Sequence, residues 1–291
     1  MCCSTTFSRW EGLAPSPRRS APVHLRVRHL WNAGSAKQLL LLHKIRERHA
    51  RLMCRMVGFV SKTAIPVAPF LKALALQARE GRECPHGDGW GMALRIEGHW
   101  LWVRQALPIW EAPFDALGEL CSNIGIIHAR KASPNTPINL TKVHPFVLPD
   151  PRHADAKESA LIFCHNGTVK IPERIPFAAP ADAIDSERYF ALVVESLKET
   201  TSLQEAVKRA AQAIVSAEAQ PSSLNCLLSD GESLIAHRGA VLPENMEYHT
   251  LYVQESSGCT VVSTEPLPDQ LYGKPRALEL GETVQISVPH L

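Results

Sequence analysis

CRMVGFVS, residues 54–61, is short, apolar and bounded by polar residues, and reads as a β-strand. What precedes it differs in kind. Residues 1–52 mix Arg, His, Ser and Pro with little periodicity until QLLLLHKIRERHA, which suggests a short basic helix, and the pattern changes at the Met53–Cys54 pair. After the strand, Pro66 is expected to open a helix over VAPFLKALALQARE, with Pro69 confining its start to the first turn. GMALRI and WLWVRQ flank Glu97, Gly98 and His99, a hairpin signature. NIGIIHAR (123–130) and ALIFCHNG (160–167) read as buried strands ending in polar, turn-forming residues. DSERYFALVVESLKE and SLQEAVKRAAQAIVSA carry helical apolar spacing behind Asp185 and Ser202, both good N-cap residues. Five short strands follow: SLNCLLSD, ESLIAHR, TLYVQE, CTVVST and ETVQIS.

Strands grouped at both ends of the chain around two consecutive helices predict an α+β protein with antiparallel sheets and helices outside them. A doubly wound nucleotide fold would alternate strand and helix. The glycines of HGDGWG precede a strand, so they do not make a phosphate loop. With 291 residues, of which 45% are apolar and 21% charged, the chain can bury a substantial core, and disorder, collagen and coiled coil are excluded.

The net charge of +2 conceals a step. Residues 1–52 hold ten basic and two acidic side chains, leaving 21 basic and 27 acidic groups in residues 53–291. The acidic body argues against nucleic-acid binding. The domain expectation is therefore a basic leader, 1–52, disordered, removed or read from a misplaced start, before one domain, 53–291. Eight widely spread cysteines show no metal-type spacing, which fits a reducing cytoplasm. The longest aliphatic cluster in the leader, residues 39–42, is too short to span a membrane and has the wrong flanks for a secretory signal.

MCRMVGF, HGDGWG, IIHARKAS, VHPF, FCHNG, IDSE and STEPL occur in the order seen in class II glutamine amidotransferases, the N-terminal nucleophile type, over residues 53 to about 266. The chain resembles the short members with no fused synthase domain. The resemblance implies a four-layer αββα sandwich, and it implies roles. Cys54, once exposed as the first residue, would carry thiol and α-amine together. With pKa values near ~8.5 and ~8, the amine can take the thiol proton at neutral pH. Asn166 and Gly167 would form the oxyanion hole, although Asn-Gly is also an ordinary hairpin turn. Arg130, of the H-x-R-x-A segment, would hold the α-carboxylate of glutamine, and Asp185 its α-ammonium. His144, counted with Arg130 and Asp185 at the substrate, and Trp90 match the pattern too and would shape the pocket or serve packing. The family often continues the Arg segment with Thr-x-Gly, where this chain has Ser133, Pro134 and Asn135.

The expected reaction is attack of Cys54 on the side-chain amide of glutamine or a γ-glutamyl amide, releasing ammonia or an amine through a γ-glutamyl thioester. No metal and no cofactor are called for. A separate synthase subunit would receive the ammonia, or the protein would hydrolyse γ-glutamyl compounds alone; neither nucleic acid nor membrane is an expected partner. Two other classes compete: a non-catalytic binding protein, if the leader stays attached and Cys54 has no basic nitrogen, and a basic-arm nucleic-acid binder. The leader's sparse aromatics, Phe7, Trp10 and Trp31, speak against the second.

Overall fold

A computed structural model describes residues 53–83, 85–133, 136–153 and 159–289. The expectations for residues 1–52, including the short basic helix, lie outside the described residues.

Among the described residues twelve strands follow one another: β1 (Arg55–Pro66), β2 (Trp90–Ile96), β3 (His99–Gln105), β4 (Cys121–Ala129), β5 (Phe146–Pro149), β6 (Ala160–Asn166), β7 (Asn225–Ser229), β8 (Ser233–His237), β9 (Tyr252–Ser256), β10 (Cys259–Ser263), β11 (Arg276–Ala277) and β12 (Thr283–Ser287). Three longer helices join them: α1 (Ala68–Glu80), α2 (Asp185–Ser196) and α3 (Leu203–Ser216). The strands form two antiparallel sheets, one in the order β11-β9-β10-β1-β4-β2-β3 and the other β12-β8-β7-β6-β5.

Side-chain alternation explains the layering. On β1, Val57 and Phe59 join the core under α1, while Met56 and Val60 join the layer between the sheets. On β6, Leu161 and Phe163 pack beneath α2 and α3, while Ile162 and Cys164 point to the inter-sheet layer. Both faces of each central strand are thus apolar, which is why these strands read as continuous hydrophobic runs. The result is the αββα sandwich, with α1 over one sheet and the α2–α3 pair over the other. Phe59 stacks on Phe70 of α1 with ring centroids 4.4 Å apart, and Phe163 on Phe190 of α2 at 4.8 Å.

Two local expectations need correction. Pro66 does not open the helix. It ends β1, paired with Cys121 beyond a bulge, where a residue without an N–H is tolerated, and α1 starts at Ala68 with Pro69 in its first turn. Asp185 is the first helical residue of α2 and not its cap; the N–H of Ile184, the capping residue, donates instead to Glu187 Oε2 at 2.9 Å. Ser202 does cap α3, its hydroxyl accepting from the Glu205 N–H at 3.3 Å. The β2–β3 hairpin turns through Glu97 (φ 49°) and Gly98 (φ 83°), both left-handed, as a two-residue type I′ turn requires.

Candidate active site

Strand register brings the site together. β1 begins where antiparallel β4 ends: Arg55 lies opposite Ala129, so Cys54 and Arg130 emerge at the same edge of the first sheet. The end of β6 delivers Asn166 from the second sheet to this edge, and the Cys54 N–H donates to Asn166 Oδ1 at 2.8 Å. The far nitrogen of that amide, Nδ2, is buried and has no partner. Asn166 therefore accepts from the Cys54 nitrogen with one end and holds a free donor pair at the other.

The Cys54 thiol is buried, and the Lys131 N–H donates to Sγ at 3.4 Å. Burial pushes the thiol up to about 11; the Lys131 N–H, Arg130 and Arg55 pull it down, and Asp185 pushes it up. The thiol is therefore protonated at neutral pH, and it would ionise there only with a base to take the proton.

Gly167 follows Asn166 at φ 154°, and a Cβ there would come within 2.2 Å of the Ser223 carbonyl oxygen. The close approach of two backbones fixes this residue as glycine and sets the turn at the end of β6.

Arg130 is held by backbone on both sides: its N–H donates to Gly89 O at 2.8 Å, its carbonyl accepts from Asp88 N at 3.0 Å, and Nη1 donates to Pro137 O at 3.1 Å. Burial works against the cation, while Cys54, Asp88 and Asp185 favour it. Asp185 accepts the Val169 N–H at 3.0 Å and the Ser186 N–H at 2.9 Å. It lines a cavity of about 470 Å³ with Ser133, Thr136, Pro137, Thr168 and Val169. Pro134 and Asn135, where the sequence leaves the family's pattern, are outside the described residues. A wider concavity, about 890 Å³, lies apart from these residues, against α2 and α3.

His144 is placed differently. Its buried ring lies 4.2 Å from that of His128 and 4.4 Å from that of Phe146, and neither of its nitrogens has a partner. Desolvation holds His144 well below the ordinary histidine range and lowers His128 to about 3. His165 is satisfied by Ser186 Oγ and the Ser223 carbonyl, both at 2.9 Å. Trp90 is fully buried, its Nε1 donating to Gln105 Oε1 at 3.2 Å.

Several residues escaped the sequence reading. Asp88, within HGDGWG, accepts the Ala132 N–H at 2.8 Å and so braces the loop after Arg130. Lys131 acts at the thiol through its backbone, which no side-chain motif reports. Arg55 is fully buried in an ion pair with Glu265 of the STEPL segment, a link across 210 residues of sequence visible only once β1 and β10 pair.

Among the described residues no three His, Cys, Asp or Glu side chains are grouped to hold a metal, and no helix is long and apolar enough to cross a membrane. The model of the class II glutamine amidotransferases matches residues 53–252. A Haemophilus influenzae protein named as a glutamine amidotransferase is 28% identical over 206 residues, 67% of this chain and 66% of that protein. An uncharacterized Methanocaldococcus jannaschii protein is 28% identical over 64% of this chain and 51% of its own length. The chain thus spans about half to two thirds of these curated relatives. Among solved structures, glutamine phosphoribosylpyrophosphate amidotransferase from Bacillus subtilis superposes with a TM-score of 0.55 at 16% identity, covering 80% of this chain and 47% of that one. A Pseudomonas aeruginosa structure described as a glutamine amidotransferase gives 0.51 at 19% identity, covering 80% of this chain and 97% of its own. A family match over more than half the residues, on the fold these structures share, makes this chain a member of the class II glutamine amidotransferases.

Proposed function

We propose that the protein is a cysteine amidohydrolase whose working chain begins at Cys54, and that it cleaves the side-chain amide of glutamine or of a γ-glutamyl amide. The observation that carries this reading is the divided amide of Asn166, with Oδ1 on the Cys54 nitrogen and Nδ2 buried and unpaired. With residues 1–53 removed, Oδ1 orients an α-amine instead of a peptide nitrogen. That amine takes the Sγ proton as sulfur attacks the amide carbon. The C=O π electrons move onto oxygen, and the oxyanion meets Asn166 Nδ2 and the Gly167 N–H. On collapse the C–N bond breaks, the amine proton passes to the leaving nitrogen, and a γ-glutamyl thioester remains. Water, deprotonated by the same amine, hydrolyses it to glutamate.

Asp185 would fix the α-ammonium in the cavity it lines, and Arg130, bonded to Pro137 of that lining, would take the α-carboxylate. His144 is a positioning residue, its ring packed on His128 two residues before Arg130. Ammonia would go to a separate synthase subunit, or the hydrolysis would be the whole reaction. Cys54, Cys164, Cys226 and Cys259, which form no disulfide among the described residues, fit a cytoplasmic setting.

Intact-mass measurement of protein made from the full-length gene, together with a glutaminase assay, tests the reading. The expected result is activity from a chain whose mass begins at Cys54. Full glutaminase activity from a chain that still carries Met53 would overturn the assigned base.

A further inference from the structure

We propose that Lys142 is a positioning residue that sets the spacing between the two groups that read the substrate's α-centre, and so makes the site select amides carrying an α-ammonium; this rests on the roles given above to Arg130 and Asp185.

Neither binder fixes that spacing alone. Arg130 follows β4 of the first sheet, while Asp185 opens α2, which packs over the second. An α-amino acid carries its ammonium and its carboxylate on one carbon, so the two binders must keep one separation to hold both. The bonds that Asp185 itself makes, from the Val169 and Ser186 N–H groups, tie it only to the side of the second sheet. Its place also follows the point at which α2 begins, and Ile184, the capping residue, has no side-chain oxygen to offer the first turn. Glu187 holds that start, with Oε2 accepting the Ile184 N–H at 2.9 Å.

Lys142 supplies the missing link. Its side chain is buried, and Nζ donates to Glu187 Oε2 at 2.9 Å, to the Asp182 carbonyl at 2.9 Å and to Asp182 Oδ2 at 3.1 Å. An ammonium has three donors, and full pairing is what makes its burial tolerable. The acceptors stand on both sides of Asp185 in the chain, so one cation clamps the turn into α2 together with the helix's first turn. Among the described residues Asp185 has no ion pair, whereas Asp182 and Glu187 are both paired with Lys142, which leaves the Asp185 charge for a ligand. The other end of the link reaches Arg130. Lys142 closes a single 3-10 turn, Leu140–Lys142, in which Asn139 Oδ1 accepts the Lys142 N–H at 3.2 Å. Just before that turn, the Pro137 carbonyl accepts from Arg130 Nη1 at 3.1 Å, and Pro137 lines the same cavity as Asp185. Residues 137–142 thus run from the carboxylate binder to the ammonium binder, with a polar anchor at each end.

The test uses protein from the full-length gene, with its N-terminus read by intact mass. It compares glutamine and γ-glutamyl methylamide with their analogues lacking the α-amino group, glutaramic acid and its N-methylamide. Lys142→Met, of similar length and without the donors, should lower kcat/KM for the two amino acids by about tenfold or more, mainly through KM, and leave the analogues within about threefold. A loss of folded protein lowers all four alike, so it does not imitate this change of preference. Asp182→Asn, at a side chain 81% exposed, should move the preference in the same direction by a smaller factor. A preference unchanged in folded Lys142→Met, or in Asp182→Asn should the first variant not fold, would overturn the proposal. Equal turnover of amino acids and analogues by the unaltered protein rejects the role of Asp185 and this inference with it, whereas no turnover of any of the four rejects the amidohydrolase reading as well.

Discussion

Cys54 and Cys164 are both buried thiols between the same two sheets, and desolvation raises both above the ordinary cysteine range. Cys164 sits mid-strand among Ile162, Leu227 and Ala236, where the surroundings are apolar. Cys54 sits where β1 begins, with a backbone N–H at its sulfur, an asparagine oxygen at its nitrogen and the charges of Arg130 and Arg55 acting on it. Burial is common to the two, so burial does not make a nucleophile. The difference lies in position along the strand: a central residue meets side chains only, while a terminal one meets backbone donors and loop charges that can change partner during a reaction.

The largest effect expected from this contrast belongs to Cys54→Ala. Amide hydrolysis should fall by on the order of 10⁴-fold or more, with covalent trapping by a glutamine-like electrophile lost, while the far-ultraviolet circular dichroism is retained. Labelling at Cys164 in place of Cys54, read by peptide mass, would break the comparison.

How much of this was legible in the sequence follows from where the information lies. The continuous apolar runs of β1, β4 and β6 are a local property, so the strands and their burial could be read directly. Cys54, Arg130 and Asn166 were singled out by the resemblance to the class II amidotransferases, since local pattern alone reads them as a core cysteine, a strand-end cation and a turn. The β5 strand, FVLP, is four residues with a proline and carries no periodic signal. The Lys131 N–H at the thiol was invisible for another reason: a backbone contact has no residue-type signature. The Arg55–Glu265 pair needed the β1–β10 register, a long-range fact that no local pattern encodes. Asp185 was misread as a cap because a capping residue and a first-turn carboxylate look alike in sequence.

Asn166→Ala probes what surrounds the nucleophile. It removes both the acceptor at the Cys54 nitrogen and the unpaired donor, and kcat should fall about 10²- to 10³-fold. Asn166→Asp separates the two, since it keeps an acceptor and loses the Nδ2 donor. A loss equal to that of alanine would assign the effect to the oxyanion, whereas near-normal activity would remove Nδ2 from the mechanism.

A smaller effect concerns three buried imidazoles. His86 and His128 are lowered to about 4 and about 3 by burial, and His144 well below its ordinary value. These rings are neutral when folded and become protonated in the unfolded chain as pH falls through about 6.5. The unfolded state then binds more protons, so stability is full above that pH and declines below it, by on the order of 1 kcal/mol per pH unit for each such ring. Denaturant melts between pH 7 and 5 should show this decline. His144→Phe, which keeps an aromatic ring against His128 and Phe146, should shallow it by one ring's share. An unchanged slope would place the acid sensitivity elsewhere.

The smallest effect returns to the second thiol. Cys164→Ala deletes one sulfur from a closely packed apolar layer and leaves a small void, so unfolding free energy should drop by about 1–2 kcal/mol. The thiol makes no hydrogen bond that the reaction uses, so kcat/KM should stay within about twofold of the unaltered protein. Because an ionised Cys54 would act on Cys164 through the low-dielectric layer, the variant also asks whether that layer tunes the nucleophile. A displaced pH–rate profile at unchanged stability would mean that the apolar middle and the reactive edge are electrically one region, and that distance along the strand does not separate them.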